Sequence, residues 1–189
     1  MIKFISTAAI VGLVSALAMP VKATLVSHHR ASAISAVNRP ALDDATIVAI
    51  FDAANTEDIE TGDLAAKRAN SKDVRDLGAQ FARDHRAVRQ QGRDLAKKLG
   101  VTPTPPPNDQ SKAQTAAAMK ELSAKRGADF DKAYLAHEVE FHQTVIDAIN
   151  GTLMPAIQNA ELKTFVQTVV PAFQAHLAAA KNLQQKHGY

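Results

Sequence analysis

Cysteine and tryptophan are both absent from the 189 residues of this chain. Without cysteine there can be no disulfide, no thiol catalysis, no thiolate metal site and no lipid-anchored lipobox. Any folded domain must therefore be held by its core. Aromatic residues are only 5% of the chain, so that core is aliphatic and alanine-rich, which suits close helix packing. After the N-terminal segment, no run approaches the roughly 20 apolar residues that cross a bilayer, and no β-barrel alternation appears. There is no Gly-rich phosphate loop, and neither Ser71 nor Ser123 has a neighbouring base to activate it. The net charge is +3, of which Lys3 and Lys22 supply two units, leaving +1 for the rest. With both signs interspersed, that balance excludes a nucleic-acid binder.

The chain opens Met1-Ile2-Lys3, continues with an apolar run from Phe4 to Met19, and reaches Val21-Lys22-Ala23. A basic start, an apolar stretch too short to span a membrane and a small-residue cleavage motif make a secretory signal peptide over residues 1–23. Gly12 and Ser15 inside the run argue against an uncleaved anchor. Export to a bacterial periplasm follows as the expectation. Residues 24–42 lack a sustained period and read as a flexible tether, carrying His28 and His29.

From Asp43 onward apolar residues return at three- and four-residue steps. The pattern predicts a helix from about Asp44 to Ala69 and a second, capped by Ser71, to about Leu99. The stretch Thr102-Pro-Thr-Pro-Pro-Pro-Asn108 cannot be helical and forms a stiff spacer. A short helix from about Ser111 to Lys125 ends at Gly127. A third long helix spans about Asp129 to Asn150, terminated by Asn150-Gly151. The fourth covers about Asn159 to Lys186 and contains Pro171, which should kink it. Two long helical hairpins with a short helix between them give an all-α four-helix bundle over residues 43–187. The connection fits either up-down order or a ferritin-like crossover.

Winding each helix at about 100° per residue shows which side chains face the interior. His85 lies in the middle of the stripe formed by Val74, Leu77, Phe81, Val88 and Leu95. His142 lies at the centre of the Leu135, Val139, Val145, Ile149 face, with Glu138 one turn before it. His176 is flanked by Phe173 and Ala180, and Glu57 and Asp58 fall inside the apolar arc of the first helix. Buried imidazoles and acids cost several kcal/mol unless they meet partners, so they either satisfy one another or hold a cation. Axial counting sets Glu57 or Asp58, His85, Glu138 and His142 at one height as a candidate metal site. The same counting puts His176 near Asp131 to Tyr134, about 13 Å from His142, as a separate His176/Asp131 pair. Asp84 and Arg86 read as a solvated face, His137 as pointing away, and Phe130, Tyr134 and Phe141 as packing.

The segments IVAIFDAANTEDIETGDLAAKRA, VRDLGAQFARDH, GADFDKAYLAHEVEFH and LKTFVQTVVPAFQAHLAAAK stand in this order. Together they resemble the domain-of-unknown-function (DUF) 4142 family, from about Asp44 to Leu183. Asp84-His85, Phe130-Asp131-x-x-Tyr134 and Pro171-x-x-x-x-His176 carry the likeness. The resemblance implies an exported bacterial protein with a ferritin-like bundle, often labelled an outer-membrane protein, and brings no established activity. The family pattern carries Glu where Asp58 stands here. A carboxylate-bridged di-metal centre needs Glu-x-x-His on two helices, whereas Glu138-x-x-x-His142 has a different spacing and His176 has no Glu three residues before it. The expectation is therefore a periplasmic bundle holding one transition metal such as Zn, Fe, Cu or Mn through Glu57, Asp58, His85, Glu138, His142 and His176. The alternative is a structural or interaction bundle of the cell envelope in which those residues only fix helix register. Nothing in the chain supplies a second catalytic group, so an enzyme is the weakest reading.

Overall fold

The computed structural model describes residues 42–189. The expected signal peptide and all of the tether but Leu42, with His28 and His29, lie outside the described residues. Asp43 starts the first helix by accepting the Thr46 N–H at 2.8 Å, and α1 runs Asp44–Arg68. The chain continues with α2 (Lys72–Lys98), α3 (Ser111–Ser123) and α4 (Gly127–Ala148). A π-helical turn over Ile149–Leu153 leads into the short α5 (Met154–Ala156) and then α6 (Ala160–His187). Asn159 caps α6 by accepting the N–H groups of Glu161 and Leu162. α6 is unbroken across Pro171.

Three local expectations are corrected. Ser71 occupies the N-cap of α2 but makes no side-chain cap bond. Instead the N–H groups of Asn70 and Ser71 both donate to the Asp131 carboxylate at 2.7 Å, a charge-assisted acceptor stronger than a hydroxyl. Gly127, at φ 57, opens α4 rather than only closing α3. Asn150-Gly151 does not terminate the helix. The rod widens into the π turn there and runs on to Ala156 before the chain becomes extended at Ile157.

Two apolar clusters occupy opposite ends of the interior. One gathers Ile47, Phe51, Ala96, Ile149, Leu162 and Phe173; the other gathers Ala65, Val74, Phe81, Phe130, Leu135 and Ala180. α1 and α6 pass from the first cluster to the second, while α2 and α4 pass from the second to the first. This is the up-down-down-up order of a ferritin-like crossover. α1 packs on α2, α4 on α6, α2 on α6 and α1 on α4, so every neighbouring pair is antiparallel.

The crossover must return the chain from the end of α2 to the far end of the bundle. Its Pro-rich stretch makes the first part, tied down where the Thr104 N–H donates to the Ala45 carbonyl. α3 then lies against α1 and α4.

α1 and α2 approach closely at Gly62 and Gly78. A Cβ at Gly78 would stand 2.7 Å from the Ala65 Cβ and 2.8 Å from the Gly62 carbonyl oxygen. Backbone cannot step aside as a flexible side chain can. Gly78→Ala is therefore expected to lower the urea midpoint by the equivalent of about 1–3 kcal/mol, against the gain of about 0.5–1 kcal/mol that alanine usually brings to a helix. Gly92→Ala is the control, since its Cβ would meet only Phe165 ring carbons at 3.6 and 3.7 Å. An unchanged or raised midpoint for Gly78→Ala would show that the helices do not cross this closely.

Candidate metal centre

Between the two apolar clusters each long helix turns polar side chains inward. α1 supplies Asn55, Asp58 and Thr61, α2 His85, α4 Glu138 and His142, and α6 His176, all buried. Phe81 stacks on His176 with ring centroids 4.1 Å apart, and Phe173 stands edge-on to His85 at 5.0 Å. The layer is thus walled by aromatic rings as well as by the clusters at either end.

The three imidazoles form a near-equilateral group, with centroid separations of 5.0 Å for His85–His176 and 5.5 Å for the other two pairs. One ring nitrogen of each lies within 4.8 Å of those of the other two. The opposite nitrogen of each ring has its own acceptor. Asn55 Nδ2 donates to the Phe51 carbonyl, so its Oδ1 accepts from His85 Nδ1 at 2.9 Å. His176 Nε2 donates to Asp84 Oδ2 at 3.2 Å. His142 Nδ1 donates to the Glu138 carbonyl at 3.0 Å. These assignments leave lone pairs on His85 Nε2 and His176 Nδ1, and on His142 Nε2 when that ring has given up its proton. The first two are 3.1 Å apart, and His142 Nε2 is buried without a partner.

A second group shares His142. Carboxylate oxygens of Asp58 and Glu138 and a His142 ring nitrogen lie within 4.8 Å of one another. Glu138 Oε2 is 3.3 Å and Asp58 Oδ1 3.9 Å from His142 Nδ1, and Asp58 Oδ2 is 3.4 Å from His85 Nδ1. The Thr61 hydroxyl, with one proton in reach of both, lies 3.0 Å from the Glu57 carbonyl and 3.2 Å from Glu138 Oε1.

Burial drives most of the electrostatics. It pushes Asp58 well above the usual carboxylate range, with the nearby Glu138 and Glu57 adding to the rise against the pull of His142. Glu138 feels the same burial penalty, yet its bond to His142 and the charge of that ring hold it below its ordinary value. His85 is depressed to about 2 by burial and by the neighbouring His142 and His176. Burial, seconded by His142, also lowers His176, despite its bond to Asp84. For His142 burial opposes the charge, but the Asp58 and Glu138 carboxylates outweigh it and raise the ring to about 9.

The structure thus brings Asp58, His85, Glu138 and His142 to one height, as their axial counting indicates, and adds His176. The separate His176/Asp131 pair is corrected: Asp131 binds the α1–α2 turn, and His176 contacts His85 and Asp84. The cause is the extra length of the α4 rod. With the turn at Asn150-Gly151, His176 falls too far along; with the reversal at Asn159, which lies midway in sequence between His142 and His176, the two rings meet. Glu57 stands apart from both groups, accepting from Thr115 of α3 at 3.0 Å beside His137 Nε2 at 3.7 Å.

Sequence reasoning passed over Asn55, although it lies as far before Asn70 as His85 lies after it. It also passed over Asp84, which sits a third of a turn round α2 from His85 and so faces α6. Tyr134, read as packing, carries a buried hydroxyl with no partner.

The model of the family described as "Domain of unknown function (DUF4142)" matches residues 29–183. No curated protein and no solved structure matches the chain.

In chelator-treated protein the rings should titrate in opposite senses. His142, raised from 6.5 to about 9, adds stability in full below pH 6.5 and loses it as pH rises through about 9. His85, depressed from 6.5 to about 2, stays neutral when folded, so the unfolded chain takes up its proton first and stability falls as pH drops below 6.5. Nitrogen NMR of the imidazoles is expected to show His142 protonated at pH 8 and His85 neutral at pH 5; midpoints near 6.5 for both would contradict this geometry.

Proposed function

The chain belongs to the DUF4142 family, and we propose that it is an exported periplasmic bundle that holds one transition-metal ion between His85, His142 and His176. The single observation that carries the reading is the 3.1 Å separation of His85 Nε2 and His176 Nδ1, whose lone pairs face each other once the opposite nitrogens donate to Asn55 and Asp84. Two acceptors at that distance repel unless a cation or a proton lies against both. Two imidazole nitrogens bound at roughly 2.0–2.1 Å to one ion, at angles between octahedral and tetrahedral, stand about 2.9–3.4 Å apart. The spacing therefore fits two ligands of one ion, and His142 Nε2 is the third unshared nitrogen of the group. A proton on either ring of the pair is opposed by burial, which depresses both His85 and His176, and the one imidazole that holds a proton, His142, would give it up to the ion.

The outer contacts support the same reading. A metal-binding histidine characteristically donates its other N–H to a carboxylate or carbonyl, which fixes tautomer and ring direction. Here Asn55, Asp84 and the Glu138 carbonyl do this for three rings from three helices. The donor set of three imidazoles, with no thiolate in the chain, suits Zn, Cu or Fe, with Mn less favoured. An ion held there would be supplied with neighbouring negative charge by Asp58 and Glu138.

Export is supported by the basic start, the apolar run from Phe4 to Met19 and the Val-x-Ala motif ending at Ala23. Among the described residues no helix is long and apolar enough to cross a membrane; any association with the outer membrane would be peripheral.

The reading is tested on the mature chain purified without a histidine tag. Metal analysis is expected to find about one ion per chain, and adding the preferred metal to stripped protein should stabilise it by about 2.7 kcal/mol at a hundredfold excess over Kd. His85→Ala and His176→Ala should abolish the shift, and Asp84→Asn should weaken binding by about tenfold or more. If none of Zn, Fe, Cu and Mn binds or moves the melting curve, the ion-holding reading is lost. The envelope-scaffold reading would then stand, with histidine variants altering stability alone.

A further inference from the structure

Asp58 is a costly group to bury. Its side chain is wholly buried, and neither carboxylate oxygen accepts a hydrogen bond. Glu138 Oε2, 3.3 Å from His142 Nδ1, and the Tyr134 hydroxyl are also buried with no hydrogen-bond partner. Burial first, and then the charges of Glu138 and Asp58, hold the Tyr134 phenol well above its ordinary value. An ion bound by the three histidines leaves these oxygens unserved, because its ligands are nitrogens on the far edges of the rings.

An orphaned oxygen set of two acids and a hydroxyl, with the Thr61 hydroxyl 3.2 Å from the other oxygen of Glu138, is the environment that hard cations select. We infer that Asp58 and Glu138, with the Tyr134 hydroxyl, form a second cation site for a hard divalent ion on the Nδ1 side of the His142 ring. It uses different donor atoms from the histidine triad, so either site can fail alone. The competing way to satisfy Asp58 is a proton shared with Glu138.

Manganese distinguishes them. The untagged mature chain is stripped, loaded with an equivalent of Zn2+ to fill the histidine triad, and titrated with Mn2+. Bound Mn2+ is read from the loss of the free-ion electron paramagnetic resonance signal. Uptake of a single Mn2+ per chain is expected. Asp58→Asn, isosteric and uncharged, should weaken that uptake by roughly tenfold or more while Zn2+ stays bound. Tyr134→Phe, which keeps the core volume, should weaken it by a smaller factor and carries the test if Asp58→Asn does not fold.

No Mn2+ uptake by the Zn2+-loaded chain, or uptake unchanged in both variants, overturns the second site and leaves the histidine reading in place. Release of Zn2+ together with Mn2+ by Asp58→Asn overturns it too, by showing one site where two are inferred. A chain that takes Mn2+ but no Zn2+ supports the oxygen site and instead removes the histidine reading.

Discussion

Dehydrating a layer of imidazoles and carboxylates is the constraint to which the rest of this bundle answers. Moving such groups out of water costs several kcal/mol each unless geometry returns most of it, and here seven polar side chains are buried between two apolar clusters. The penalty makes axial register exacting. A helix that slid by one turn would replace His85 with Phe81 or Arg89, stranding its acceptor Asn55 and placing a ring or a guanidinium in the layer. Apolar stripes alone tolerate such slips, because leucine and alanine are interchangeable in height. The polar layer does not.

Register is also set from the ends. Asp131, on the second hairpin, accepts the two N–H groups of the α1–α2 turn. Reciprocally Asp44, at the start of the first hairpin, accepts those of Gln158 and Asn159 at 2.9 Å each. Each hairpin thus closes the turn of the other with a carboxylate. The two carboxylates pin opposite ends of the bundle, and the close crossing at Gly62 and Gly78 fixes α1 against α2 between them. With the helices held at three heights, the rings of α2, α4 and α6 have little freedom except rotation about their own side-chain bonds, and the outward acceptors remove most of that.

Angular position was legible in the sequence; height was not. The 3.6-residue period places His85, His142 and His176 at stripe centres without any knowledge of topology, and Asp58 inside the arc of α1. Height depends on where each rod turns back. For α1 and α2 the break at Asn70-Ser71 is where the pattern puts it, so His85 meets the expected part of α1. For α4 and α6 the usual stop signal, Asn150-Gly151, is absorbed into a π turn, and the rod gains enough length to carry the reversal to Asn159. That displacement is the whole reason His176 was expected among the Asp131 neighbours. Asp84 was hidden for a related reason: on the surface of an isolated helix it is a solvated acid, and only the adjacency of α2 to α6 makes it the partner of His176.

The division of labour among the helices argues that the layer is more than a register device. A register device needs each buried group to be satisfied by one partner on a neighbouring helix, and a neutral amide or hydroxyl would serve. Here the partners are arranged differently. α1, which has no histidine, supplies Asn55 as acceptor to the outer edge of His85 and sets the Asp58 carboxylate near the outer edges of His85 and His142 without a hydrogen bond to either. α2 supplies Asp84 to the outer edge of His176, and α4 offers its own backbone to His142. Every acceptor lies outside and every unshared nitrogen points inward, so the three rings are oriented but left unsatisfied toward one another. A fixed donor such as asparagine or glutamine at any of the three positions would close that gap for good, whereas the proton of His142 is one that an ion can displace. The chain instead carries a third imidazole, and the polar demand of the layer converges on the space between them.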